Sequence, residues 1–159
     1  MRIYLAAAYN RREELCEYRR QLQDLGHNVQ ARWLDGQHQL DRNGTPIGDH
    51  GEKLVEDGNG FENAALRAKF AKDDWDDVTG ADIVINFTEP PGSTAARGGR
   101  HVECGIALAL GTRVIVVGYR ENLFHWLPQV EFAKSWEQAF RILKNDQRRP
   151  SASPQSLRA

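Results

Sequence analysis

The chain has 159 residues, of which 40% are hydrophobic, and its 21 Lys and Arg residues nearly balance 22 Asp and Glu residues. This length predicts one domain with a packed core, and the balanced charge excludes a general attraction to nucleic acid or to an anionic membrane surface. Two cysteines predict no disulfide framework, and no apolar run has the length of a signal peptide or a membrane span, so we expect a cytoplasmic protein.

The first part of the chain alternates strand and helix patterns. Residues 2–7 are typical of a buried strand, and residues 11–25 carry apolar side chains at helical spacing after a capping candidate, Asn10. Residues 27–34 predict a second strand with its apolar side chains on one face. Residues 35–60 are rich in Gly, Asp, Asn and His and are long for a connection. They are either a lid or specificity loop or a poorly ordered insertion.

The alternation continues to the end of the domain. The patterns predict a helix over residues 61–79, a strand over 82–87, a loop over 88–99 and then a helix that carries Glu103. They further predict strands over 113–118 and 130–133 and a final helix from Ser135 to Leu143. Residues 147–159 are polar and basic and contain Pro and Ser. We therefore expect a disordered tail after a domain of residues 1–146.

Strands that alternate with helices predict an α/β fold. We expect a three-layer, flavodoxin- or Rossmann-like parallel sheet of about five strands, flanked by helices and joined by right-handed crossovers. Ligands of such sheets bind beyond the carboxyl ends of the strands. Residues 6–9, 87–99 and 118–122 would gather there, which makes Ala7 a substrate-binding candidate by position. The chain has neither a Walker motif nor a dinucleotide Gly fingerprint, so we expect no cofactor.

Two carboxylates are candidates for chemistry. Glu103 lies near the start of a helix whose later residues are small or apolar, so it is either an acid stabilised by the helix dipole or a catalytic group aimed into a crevice. Asp74 lies in a charged stretch that is more often a solvated helix face. Helical spacing places Asp73 and Asp77 on one side and turns Asp74 away from them, which permits Asp74 to face the crevice. We expect no metal at these aspartates.

Four segments in chain order carry a family resemblance. They are Ile3-Tyr4-Leu5-Ala6, the stretch Asp74-Trp75-Asp76-Asp77-Val78-Thr79-Gly80-Ala81-Asp82-Ile83, the run Glu103-Cys104-Gly105-Ile106-Ala107-Leu108-Ala109, and Asn122-Leu123-Phe124-His125-Trp126. Together they resemble the nucleoside 2-deoxyribosyltransferase family and its relatives that hydrolyse the N-glycosidic bond of nucleoside 5'-monophosphates. The resemblance runs from Met1 to about Phe140 and omits the long middle loop.

The resemblance implies a role for each of four residues. Glu103 would attack the sugar to form a covalent intermediate, Asp74 would act as general acid and base at the departing base, and the Tyr4 hydroxyl would orient Glu103. Asn122 would reach the site of a neighbouring subunit, which implies a homodimer or a higher homo-oligomer. From the residues alone, Tyr4 is equally a buried tyrosine with any polar partner, and Asn122 an ordinary turn asparagine.

The chain departs from the family six positions before Glu103. The transferases usually have an acidic residue there, whereas this chain has Arg97, followed by Gly98, Gly99 and Arg100. Two arginines and two glycines at a helix start predict a phosphate-binding site, although arginines on a loop are commonly surface charges. The substrate is therefore a 2'-deoxynucleoside or its 5'-monophosphate. Transfer of the sugar to another base, hydrolysis by water, and a non-catalytic nucleotide sensor remain the alternatives.

Overall fold

The computed structural model describes residues 1–35, 64–93 and 98–148. Its strands are β1 (Arg2–Ala6), β2 (Asn28–Val29), β3 (Ile83–Phe87), β4 (Arg113–Val117) and β5 (Val130–Ala133), and its helices are α1 (Arg12–Asp24), α2 (Ala64–Thr79), α3 (Gly99–Ala109) and α4 (Trp136–Arg148). The five strands form one parallel sheet in the order β2-β1-β3-β4-β5. The expected α/β fold class is confirmed, with the strand order of a flavodoxin-like sheet.

The register of the central strands determines which side chains share a face. Tyr4 of β1 pairs with Val84 of β3, and Ala6 pairs with Asn86. Because successive side chains of a strand point to opposite faces, these four side chains lie on the same face of the sheet. The helix α3 covers this face, since its Glu103 contacts Tyr4.

The opposite face is packed with aromatic rings. Tyr18 of α1 stacks on Trp136 of α4 at a centroid distance of 4.3 Å, and both rings lie against Phe87 of β3. Every residue of β3 is buried, as expected for a central parallel strand covered by helices on both sides. The core therefore lies on both sides of β1, β3 and β4, and it holds their carboxyl ends in place.

The second strand is much shorter than the sequence predicts. The strand extends only over Asn28–Val29, and Arg32–Asp35 forms a 3-10 turn instead. Two side chains anchor this turn: the Trp33 indole donates to the Leu5 carbonyl of β1 at 2.9 Å, and Arg32 binds Asp77 of α2. Trp33 is buried, as its place in the predicted apolar pattern requires, although the segment that carries it is not a strand.

The ends of α1 and α4 also differ from the sequence predictions. Asn10 lies in a 3-10 turn and α1 begins at Arg12 without a side-chain cap, so the prediction that Asn10 caps this helix was wrong. The predicted cap at Ser135 is confirmed, since its hydroxyl accepts from the Gln138 amide at 3.4 Å.

The final helix is longer than predicted and takes up the beginning of the expected tail. It ends at Arg148 rather than Leu143, and the Gln147 side chain donates to the Leu25 carbonyl at 2.7 Å. The first two residues of the expected disordered tail are therefore helical.

The expected lid beyond Asp35 and the tail from residue 149 onward lie outside the described residues. No helix within the described ranges is both long enough and apolar enough to cross a membrane.

Candidate active site

The side chains of Tyr4 and Glu103 meet where β1 and β3 lie side by side. Tyr4 is fully buried in β1, and its hydroxyl donates a hydrogen bond of 2.9 Å to Oε1 of Glu103. Glu103 lies in the first half of α3 and is partly exposed. The strand order changes direction between β1 and β3, and ligands of open α/β sheets bind beyond the strand ends at such a point. The pair therefore lies where this fold provides a ligand crevice.

The environment of Glu103 favours its protonated form. Burial is the main cause, and the negative charge of nearby Asp74 acts in the same direction, whereas the Tyr4 hydrogen bond and the charge of Arg100 favour the ionised form. Together these effects raise the pKa of Glu103 from 4.5 to about 7. A carboxyl group with this pKa is ionised in about half of the molecules at neutral pH.

Asp74 of α2 has a similar environment. It is partly buried, and burial raises its pKa from 3.8 to about 7, with further contributions from the charges of Asp77 and Asp73. Arg32 opposes this rise. The charge of Asp74 acts on Glu103, and both carboxyl groups have a pKa of about 7, so each is partly protonated near neutral pH. Such a pair can supply one ionised and one protonated carboxyl group at the same time.

Arg32 holds the two aspartates on either side of Asp74. Its guanidinium lies 2.9 Å from Asp77 Oδ1 and 2.7 Å from Asp73 Oδ1, and its backbone amide donates to Asp77 Oδ2 at 2.9 Å. Asp73 and Asp77 thus share one side of α2, as the helical spacing predicts, and Asp74 is directed elsewhere. Within the described ranges, no three or more His, Cys, Asp or Glu side chains are grouped as metal ligands.

The start of α3 is built from two glycines. Gly98 is the N-cap, with a φ of 83° in the left-handed region that only glycine adopts without strain, and no side chain caps the helix. The first amide groups of a helix have no partner within it, so Gly98 and Gly99 leave donors available for an anion. Arg97 lies outside the described residues, and its phosphate-binding role stays a prediction.

Arg100 points into the protein rather than towards solvent. It is only 5% exposed, and its guanidinium donates to both carboxylate oxygens of Glu121, at 2.5 and 3.3 Å. The charge of Arg100 is therefore compensated within the chain, and its role as a phosphate ligand stays a prediction. Glu121 was missed in the sequence analysis, because its only signal is its position after β4 at the carboxyl edge of the sheet.

Asn122 is engaged within its own chain. Its Oδ1 accepts from the backbone amides of Phe124 at 2.9 Å and His125 at 3.3 Å, and it caps the 3-10 turn Leu123–Trp126. Its Nδ2 lies 3.3 Å from Nδ1 of His101 on α3. This is the geometry of a turn asparagine, and the predicted contact with a neighbouring subunit stays a prediction. Ala7 lies directly after β1 at the carboxyl edge, which is the position that made it a candidate.

His125 is a buried polar residue that the sequence analysis did not select. It is fully buried, its Nδ1 accepts from the Glu121 amide at 3.3 Å, and its Nε2 lies 3.3 Å from Nδ2 of Asn86. Nε2 also lies 3.2 Å from Nδ2 of Asn122, so the ring is held between two asparagine side chains and the Glu121 backbone amide. Burial also lowers the pKa of His125, which keeps the ring neutral.

An apolar groove of about 720 Å³ lies between α3 and the turn Leu123–Trp126. Its lining includes His101, Cys104, Leu108 and Phe124. Cys104 is buried, as expected for a small core residue. The lining does not include Glu103, although His101 and Cys104 flank that residue in sequence. The groove is thus adjacent to Glu103, and the site candidate Asn122 forms part of its lining.

Comparison with known proteins supports the fold. No family model and no curated protein sequence matches the chain. The solved structure of the CMP N-glycosidase BcmB from Clostridium botulinum is similar, with 18% sequence identity and a TM-score of 0.54. The similarity covers 91% of this chain and 99% of that chain, and at this identity it shows a shared fold.

Proposed function

We propose that this protein is an enzyme that cleaves the N-glycosidic bond of 2'-deoxynucleosides or their 5'-monophosphates, with Glu103 as nucleophile. The observation that carries the proposal is the hydrogen bond from buried Tyr4 to Glu103 at the point where the strand order changes direction. Asp74 adds a second carboxyl group with a raised pKa. The likeness to a structure described as a CMP N-glycosidase supports a nucleoside monophosphate as substrate and water as acceptor.

The two carboxyl groups suit the two charges that develop when the bond breaks. In the first step, ionised Glu103 attacks the anomeric carbon and forms a glycosyl ester, while protonated Asp74 donates its proton to the departing base. In the second step, Asp74 takes a proton from water, which attacks the anomeric carbon and releases Glu103. Two displacements at one carbon retain its configuration. If a second base replaces water, the same steps transfer the sugar.

Tyr4 favours the ionised form of the Glu103 nucleophile, which the first step needs, against the opposing effect of burial. Its hydroxyl donates to Oε1 only, so Oε2 remains the oxygen directed at the sugar. Burial and the charge of Glu103 raise the pKa of Tyr4 well above its ordinary value, so the hydroxyl stays protonated at any working pH. Tyr4 is therefore a permanent donor and not a proton carrier.

The substrate phosphate would bind at the start of α3. The backbone amides at a helix start favour an anion, Gly98 and Gly99 leave them uncovered by side chains, and Arg97 would add a positive charge. Arg100 would contribute through the electrostatic field, because its hydrogen bonds are made to Glu121. Ala7 and Asn122 would contact the sugar, with Asn122 of a neighbouring subunit completing the site.

Exposed apolar side chains beside the site support a homodimer. Val102, Leu123, Phe124 and Trp126 are 64%, 87%, 67% and 67% exposed, and Phe124 also lines the apolar groove. Contiguous exposed apolar surface of this kind marks an interaction site. Light scattering on the wild-type protein and on Phe124→Glu tests this assembly. We expect a dimer and a monomer respectively, and a wild-type monomer would contradict it.

Chromatographic product analysis tests the activity. The protein is incubated with deoxynucleosides and with their 5'-monophosphates, in the presence and absence of a second free base. We expect free base and deoxyribose 5-phosphate, whereas a new nucleoside formed only with the added base would identify a transferase. A protein that turns over none of these substrates but is thermally stabilised by them would be a sensor, and the proposed activity would be wrong.

A further inference from the structure

The carboxylate of Glu121 joins three separate segments of the chain at the carboxyl edge of the sheet. Glu121 follows β4, and its Oε1 accepts from the Arg100 guanidinium of α3 at 2.5 Å. The same oxygen accepts from the backbone amide of Glu89, just after β3, at 3.0 Å. Its Oε2 accepts from Arg100 Nε at 3.3 Å. One side chain therefore connects the first turn of α3 to the ends of both central strands.

This connection is buried, and the first turn of α3 has no side-chain cap. The side chains of Arg100 and Glu121 are 4% and 16% exposed, so their attraction is only weakly screened by water and salt. The helix α3 begins at glycines, and no side chain of its N-cap residue Gly98 holds the first turn. The position of this turn matters because Glu103 lies only three residues after Arg100 on the same helix.

We propose that Arg100 and Glu121 form a positioning pair that holds the first turn of α3, and with it the Glu103 carboxylate, against the carboxyl ends of β3 and β4. This role rests on the proposed function, in which Glu103 must lie next to the sugar. Arg100 and Glu121 touch no reacting atom and act through Glu103. A displacement of about 1 Å at a reacting group is sufficient to reduce turnover on the order of a hundredfold.

The Arg100–Glu121 pair also affects the electrostatic environment of the Glu103 carboxyl group. Glu103 is faced by Tyr4 from β1, by Asp74 from α2 and by Arg100 and Cys104 on its own helix. Arg100 is the positive group in this set, and Glu121 neutralises it. His101 also approaches Glu121, at 3.8 Å from its Oε2. Removing the charge of Glu121 alone would leave Arg100 uncompensated and would favour the ionised form of Glu103.

The test compares Glu121→Gln with a matched control at the other end of the sheet. Glu121→Gln retains the size of the side chain and one acceptor oxygen but removes its charge. The control, Glu131→Gln, removes the carboxylate that Arg113 binds at 2.5 and 3.0 Å, beside the amino end of β4 and away from the site. Both variants lose an arginine–carboxylate pair, but Arg113 retains a second carboxylate, Asp146 at 2.6 Å, so the control reports the loss of one pair without an uncompensated arginine.

The readout is the titration of the Glu103 carboxyl group by carbon-13 NMR on protein labelled at glutamate, with Glu103→Gln used to assign the signal. We expect the titration midpoint of Glu103 to fall by about half a pH unit or more in Glu121→Gln and to stay unchanged in Glu131→Gln. The kcat for the monophosphate should fall about tenfold in Glu121→Gln only. Wild-type titration and wild-type kcat in Glu121→Gln, or equal changes in both variants, would overturn the proposal.

A second variant keeps the proposal testable if Glu121→Gln fails to fold. Glu121→Asp retains the charge but shortens the side chain, so we expect the wild-type titration of Glu103 together with a kcat lowered about tenfold. A wild-type kcat in Glu121→Asp would overturn the proposal. The titration requires no turnover. A protein that shows the shifted midpoint but cleaves no nucleotide would therefore refute the proposed function and leave the positioning role standing.

Discussion

Replacing Glu103 by Gln is expected to stabilise the protein at alkaline pH. The pKa of Glu103 is raised in the folded state from 4.5 to about 7, so the folded protein binds more protons than the unfolded chain between these values. The free energy of unfolding contributed by this group is therefore fully present below pH 4.5 and is lost as the pH rises to about 7. Glutamine carries no charge and avoids this loss.

The magnitude follows from the size of the pKa change. At about 1.4 kcal/mol per pH unit, a rise from 4.5 to about 7 corresponds to about 3 kcal/mol at pH 8.5. Glutamine also keeps an oxygen that can accept the Tyr4 hydrogen bond. We therefore expect Glu103→Gln to be about 3 kcal/mol more stable than the wild-type protein at pH 8.5 and about 1 kcal/mol more stable at pH 5.

Urea unfolding at the two pH values, followed by circular dichroism, measures the difference. The solvent-exposed Glu137 provides the control, because its pKa is lowered and Glu137→Gln should not stabilise the protein at alkaline pH. A stability difference between Glu103→Gln and wild type that is the same at pH 5 and pH 8.5 would refute the reasoning. It would mean that the Glu103 charge is not buried in the folded protein.

Three further predictions concern the reaction. Tyr4→Phe removes the hydrogen-bond donor to Glu103 and so raises the pKa of Glu103. The acidic limb of the kcat/KM profile, measured from pH 5 to 9, should therefore move to higher pH. An acidic limb at the wild-type pH would contradict the role of Tyr4. Asp74→Asn removes the proton donor and should lower kcat by about 10²–10⁴-fold for an ordinary base. Its effect should be much smaller on a sugar with an activated leaving group, and equal losses on both would argue against Asp74 as the acid. Arg97→Ala should lower kcat/KM for a deoxynucleoside monophosphate by about tenfold or more while sparing the nucleoside, because a charge-assisted hydrogen bond to phosphate is lost. Equal losses on nucleotide and nucleoside would rule out a phosphate contact.

The parts of the fold that local pattern controls were predictable from the sequence. β3 and β4 are mostly apolar and β-branched, and central strands of a parallel sheet favour that composition on both faces. The second strand was not predictable, because its alternating pattern suits both a strand and an anchored turn. Its outcome depends on Trp33 reaching the Leu5 carbonyl and on Arg32 reaching Asp77, which are contacts between distant parts of the chain.

Some residues of the candidate site could likewise be predicted from the sequence, and others could not. Tyr4 and Glu103 could be selected in advance because each lies in a segment with a family resemblance, and the topology then brings the two segments together. The partner of Arg100 could not be selected, because Glu121 carries no local pattern and lies 21 residues away. An arginine beside glycines at a helix start resembles a free phosphate ligand in sequence, whether or not a buried carboxylate already binds it.

The hydrogen bond from Tyr4 to Glu103 spans 99 positions of the chain. A nascent chain on the ribosome therefore contains Tyr4 long before it contains the residue that Tyr4 orients, and no fragment that ends before α3 can hold the pair. Bringing such distant positions together costs loop-closure entropy, and sheets built from such contacts fold more slowly than structures built from local ones. Recovery of the proposed activity after dilution from denaturant would consequently require β1 and α3 to be in place together.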